Sequence, residues 1–129
     1  MWIATTDGFV SIVQDCEDPD VLQVRARVPE DISGNFPGAE VFVAPGADYR
    51  YRARLPRTHV AEALAEAITK LDYTSHFKDV ALERSPANTA RYTAYYHTWS
   101  AMARMQDFAP YSTALRPIEP DWWDDEEDK

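Results

Sequence analysis

Through the first half of the chain, apolar and polar residues alternate with a period of two. This is the spacing of strands that bury one face. Residues 2–6 and 9–14 are rich in β-branched and aromatic side chains and flank Asp7-Gly8, a hairpin signal because glycine tolerates positive φ. Asp18-Pro19-Asp20 interrupts the pattern. Residues 21–28 resume it, with Leu22, Val24, Ala26 and Val28 on one face and Gln23, Arg25 and Arg27 on the other. Residues 29–37 read as either a short helical turn or a loop. Residues 40–44 form a short apolar strand, and Pro45-Gly46-Ala47-Asp48 a turn. Residues 49–55 alternate again, Tyr49, Tyr51, Ala53 and Leu55 opposing Arg50, Arg52 and Arg54.

The second half changes to a helical period. Thr58 is placed to cap a helix whose apolar stripe is Val60, Leu64, Ala67, Ile68 and Leu71. Asp72-Tyr73 ends it, and a short helix with Phe77, Val80 and Ala81 follows. Ser85-Pro86 is a second start signal, since proline loses nothing where the first helical N–H has no partner. The last helix is expected to reach about Gln106, and beyond Asp107 three prolines and an acid run imply an extended tail. Strands first and helices second predict an α+β fold. It has an antiparallel sheet of about five strands packed by two or three C-terminal helices. The expected division is one domain over 1–106 and a tail over 107–129.

Charge sharpens this picture. Of 22 acids and 13 bases, for a formal net charge of -9, seven acids and one base lie between Glu119 and Lys129. The body is mildly acidic and the tail strongly so. That balance argues against direct nucleic-acid binding, which needs positive charge to neutralise phosphates, and favours a basic protein partner. Cys16 is the only cysteine and allows no intramolecular disulfide or zinc knuckle. There is no run of about 18 apolar residues to span a membrane, and the N-terminus has no signal-peptide pattern. A cytoplasmic protein is the expectation.

Three features carry candidate chemistry. Arg25 and Arg27 on one strand and Arg50, Arg52 and Arg54 on another would form a five-guanidinium patch if their strands were neighbours, able to grip phosphate or carboxylate. The plainer alternative is a solvated face paired to acids such as Glu17, Glu40 or Asp48. On the last helix, Ala87, Ala90, Ala94, Ala101, Met102 and Met105 make one apolar stripe. Tyr92, Tyr96 and Trp99, with Tyr95 nearby, make a second that serves either as core or as a protein-binding ridge. In the tail, Trp122 and Trp123 sit beside Asp124, Asp125, Glu126 and Glu127, so indoles could anchor a basic partner that the carboxylates steer. The same composition also suits a purely solubilising terminus. His59, His76 and His97 form no HExxH or related pattern, the glycines form no phosphate loop, and no serine sits in a nucleophile elbow. The reading is non-enzymatic, with no metal or cofactor.

The segments Met1-Trp2-Ile3 with Gly8-Phe9, Asp18-Pro19-Asp20 before Val24-Arg25-Ala26-Arg27, Pro45-Gly46-Ala47-Asp48-Tyr49-Arg50-Tyr51-Arg52-Ala53, Leu71-Asp72-Tyr73 with Phe77-Lys78, and Tyr96-His97 with Trp99 and Met102 belong together. Over residues 1–106 they resemble a family of small bacterial proteins, also carried by actinobacterial phages, that brings no activity with it. Relative to that family, segment 29–37 is short and the acidic Trp-Trp tail is an addition. Together these features make the leading expectation a phage-type interaction module that binds or inhibits a basic host protein through its tail and aromatic helix, as a DNA mimic would. The alternative is a nucleotide, anion or RNA binding domain using the arginine face.

Overall fold

The structure, a computed structural model, describes residues 1–84 and 89–106. It has an α+β fold, as the patterning predicts. Strands β1 (Trp2–Thr5), β2 (Gly8–Gln14) and β3 (Val21–Ala26) are followed by helix α1 (Pro29–Asn35) and strands β4 (Phe42–Val43) and β5 (Tyr51–Pro56). Helices α2 (Arg57–Thr69), α3 (Phe77–Arg84) and α4 (Thr89–Ala103) complete the described elements. The sheet is wholly antiparallel in the order β1-β2-β3-β5-β4. The chain separates into two compact units, Met1–Pro86 and Ala87–Lys129, and only the second contains α4.

One face of the sheet is the core. Val10 and Ile12 of β2, Val24 and Ala26 of β3, and Ala53 and Leu55 of β5 pack with Ile32 and Phe36 of the α1 region and Val60 of α2. Residues 29–35 therefore resolve as helix, and Ile32 within it and Phe36 at its C-cap are the two largest fully buried side chains. Burying one such side chain contributes about 1.5–3 kcal/mol. Pro29 starts α1 because its missing N–H costs nothing there, and Glu30 and Asp31 complement the helix dipole in the first turn.

Three local expectations are corrected. Gly8 opens β2, paired to Thr5, and the two turn residues are Thr6 and Asp7. Glycine is required at position 8 because φ is +150° and a Cβ would lie 2.7 Å from Asp31. The Asp31 carboxylate accepts the Phe9 N–H at 3.1 Å, fixing α1 against the hairpin. Helix α2 starts one residue before Thr58, with Pro56 as its N-cap and no side-chain cap; the Arg57 N–H instead donates to the Asp20 carbonyl at 2.7 Å. The α2 stripe is also split: Val60 is buried, whereas Ile68 and Leu71 are 73% and 53% exposed.

Candidate functional site

The face of the sheet opposite the core follows from register. A row of directly paired residues crosses all five strands: Trp2, Ser11, Arg25, Arg52 and Phe42. A second row places Val13, Gln23 and Arg54 side by side. Arg25 of β3 and Arg52 and Arg54 of β5 therefore lie on neighbouring strands, with Arg27 and Arg50 one residue outside them. Two half-exposed or exposed aromatic residues, Trp2 and Phe42, stand at the ends of the first row.

The arginines divide into two sets. Arg54 is neutralised internally, its Nε and Nη2 donating to the two oxygens of Asp15 at 3.0 and 2.9 Å. Asp15 is 5% exposed and also accepts the N–H groups of Glu17 and Asp18, both at 3.2 Å. The Arg54 guanidinium, then these backbone donors, hold the Asp15 carboxyl far below the ordinary carboxylate range, and Asp15 in turn raises Arg54. Arg52 donates Nε to the Tyr49 carbonyl at 3.2 Å and Nη1 to Gln23 at 3.3 Å, with Asp48 at 4.0 Å.

Arg25, Arg27 and Arg50 differ. None of the three has a carboxylate within ion-pair distance among the described residues. Arg25 donates Nη2 to the Ser11 hydroxyl at 2.7 Å, while its Nε is buried without an acceptor. Its guanidinium carbon lies 4.9 Å from the centre of the Tyr49 ring, and that of Arg27 lies 4.2 Å from the same ring. Tyr49 is 4% exposed although it is outside the core cluster. Tyr49 thus belongs with the arginines, not with Tyr51, Ala53 and Leu55. The alternation fails at 49 because the residue precedes β5, where the chain is still leaving the 45–48 turn.

This geometry gives the site its character. Stacking occupies the face of a guanidinium and leaves its in-plane N–H donors directed outward. Two arginines held on one ring have lost part of their rotamer freedom before any ligand arrives. A partly buried cation without an acid partner is costly, and an anion lowers that cost. Ser11, Tyr49 and Asp15 were not among the expected site residues. The only sequence signal for Asp15 is its period-two spacing from Ser11 and Val13, which the register places in the same rows as the arginines.

On α4, Tyr92, Tyr96 and Trp99 are partly buried and share one side of the helix, with the Tyr96 and Trp99 rings stacked at 6.0 Å. The buried positions are Arg91 and Tyr95. The expected alanine–methionine stripe is exposed where described, including Met102 at 55% and Met105 at 81%. Ala87, Ser85-Pro86 and the tail residues Trp122, Trp123, Asp124, Asp125, Glu126 and Glu127 lie outside the described residues. No group of three or more His, Cys, Asp or Glu among the described residues could hold a metal ion. No helix among them is long and apolar enough to cross a membrane.

No family model, no curated protein and no solved structure matches this chain.

Proposed function

We propose that this protein is a non-enzymatic binding domain whose arginine face takes a phosphate-bearing ligand of nucleotide size. The observation that carries the reading is the pair Arg25 and Arg27 stacked on Tyr49 with no carboxylate partner among the described residues. Arg27 and Arg50 are exposed and supply the outward donors; Arg25 is braced from below by Ser11. Arg52 extends the positive surface, and Arg54, committed to Asp15, serves as support. A base or other flat group would lie against Phe42, which is next to Arg52 in the register.

A thermal-shift screen of the full chain against pyrophosphate, nucleotides and short RNA tests this. A ligand present at about 100 times its Kd stabilises the native state by about 2.7 kcal/mol, a shift of several degrees for a domain of this size. Arg27→Gln should remove the shift while Arg54→Lys keeps it. No shift with any of these anions would overturn the reading.

A second proposal rests on the stacked Tyr96–Trp99 pair of α4. There, α4 and the acidic Trp-Trp segment bind a basic protein of a phage host, and so inhibit it by covering its nucleic-acid site. Pull-downs from host lysate with the full chain and with one ending at Pro117 test it; identical partners for both would remove the tail from that role.

A further inference from the structure

We infer that the outer edge of β1 and the apolar groove beside it bind an extended peptide segment with apolar residues at alternate positions as an added strand. The proposal is independent of the arginine face.

The backbone supplies the first half of the argument. Met1 and Ile12 exchange both N–H to carbonyl bonds at 2.8 Å. In an antiparallel ladder such pairs alternate with pairs that exchange none. Trp2–Ser11 and Ala4–Phe9 are the alternate pairs, so Trp2 and Ala4 turn their N–H and C=O groups away from β2. None of these four groups is hydrogen-bonded among the described residues. The edge also lacks the devices that protect exposed edges, since residues 2–5 contain no proline or charge and pair without a bulge. The opposite edge of the sheet, β4, is only two residues long.

The side chains supply the second half. A cavity of about 600 Å³ runs along β1 and is walled on its far side by Leu64, Ala67, Ile68 and Leu71 of the α2 stripe. This size is typical of sites that bind small ligands or short segments. Ile68 and Leu71 are the residues that the split stripe leaves exposed, so the stripe's outer half forms the groove wall. Two cations at the rim are paired internally. Lys70 pairs with Glu66 at 2.6 Å, and Arg84 pairs with Asp72 at 2.7 Å while donating to the Thr6 hydroxyl at 3.2 Å. The Asp7 carboxylate also lines the groove, with no ion-pair partner within 4 Å among the described residues, and the Met1 ammonium donates to the Ile12 carbonyl at 2.8 Å.

These two halves select one class of occupant. A lipid or apolar metabolite would fill the groove but cover the Trp2 and Ala4 backbone groups without bonding them, at a cost of about 1–3 kcal/mol for each buried group. An added strand bonds all four and directs alternate side chains against Leu64 and Ile68. The partner is therefore an extended segment with aliphatic or aromatic residues at every second position.

The test is a titration of the isotope-labelled full chain with blocked hexapeptides carrying Val, Ile, Leu or Phe at alternate positions and Thr between them. A Ser-Gly hexapeptide is the control. The expected result is saturable binding by at least one of them, with hydrogen exchange at the Trp2 and Ala4 amides slowed about tenfold or more. Ala4→Pro deletes one outward donor without removing a β2 bond and should weaken binding about tenfold. Ile68→Asp, at an exposed position, should do the same from the groove side. The proposal is overturned by no binding across the panel, or by binding that leaves Trp2 and Ala4 exchanging freely. It is also overturned if these amides are protected in free protein. Protection independent of concentration would assign the edge to the chain itself, and protection growing with concentration to a second copy.

Discussion

Arg25 and Arg52 stand directly opposite one another on β3 and β5, two cations at a cross-strand position where like charge is destabilising. Each guanidinium is drawn aside, Arg25 towards Ser11 and the Tyr49 ring, Arg52 towards Gln23 and the Tyr49 carbonyl. The sheet thus holds an electrostatic conflict that an acid in either place would relieve.

Arg52→Glu should therefore leave the fold intact and raise stability by about 0.2–1 kcal/mol, the value of an opposite-charge cross-strand pair. Urea denaturation reads the change. The same variant should bind pyrophosphate more weakly, because it places a carboxylate beside Arg25.

Asp15 governs the acid limb of stability. Arg54 and two backbone donors depress its folded pKa below the unfolded value of about 4. Its stabilising contribution is present above that unfolded value and is lost as pH falls through the folded one. Asp15→Asn should be less stable than the natural protein at neutral pH. The gap should narrow as the pH drops below 4, which urea midpoints measured across that range will show.

Gly8→Ala should cost about 2 kcal/mol or more, because it combines an unfavourable φ with a Cβ 2.7 Å from Asp31. Gly46 also has positive φ, +79°, but no atom within 4 Å of the added carbon. Gly46→Ala should cost only about 1–2 kcal/mol. Chemical denaturation of the two variants separates overlap from backbone preference.

Phe36→Ala removes the largest fully buried side chain and should cost about 3–5 kcal/mol. Loss of most of the native far-ultraviolet circular dichroism at 37 °C, or a shifted urea midpoint, will report it.

Strands β3 and β5 were legible because each buries one face: Val24, Ala26, Ala53 and Leu55 all fall on the expected side. The fold class followed from that pattern and from the helical period after Thr58. Helix α1 was harder to read because seven residues with one glycine and four polar side chains carry little period, yet tertiary burial of Ile32 and the adjoining Phe36 makes them helical. The arginine stripes were visible in the sequence, but their alignment depends on β5 pairing with β3 across an intervening helix and strand, which no local pattern encodes. Tyr49 was misassigned because alternation was extended through a turn residue. Asp15 was missed because a single acid near a chain reversal does not reveal that two backbone N–H groups and an arginine 39 residues away converge on it.

The two-residue length of β4 has a consequence for self-association. Runaway polymerisation through backbone pairing needs a templating border on both flanks of every subunit, and among the described residues only β1 is long enough to serve as one. Two copies paired along that border would use up both, so such a pairing would close on itself instead of growing into fibres.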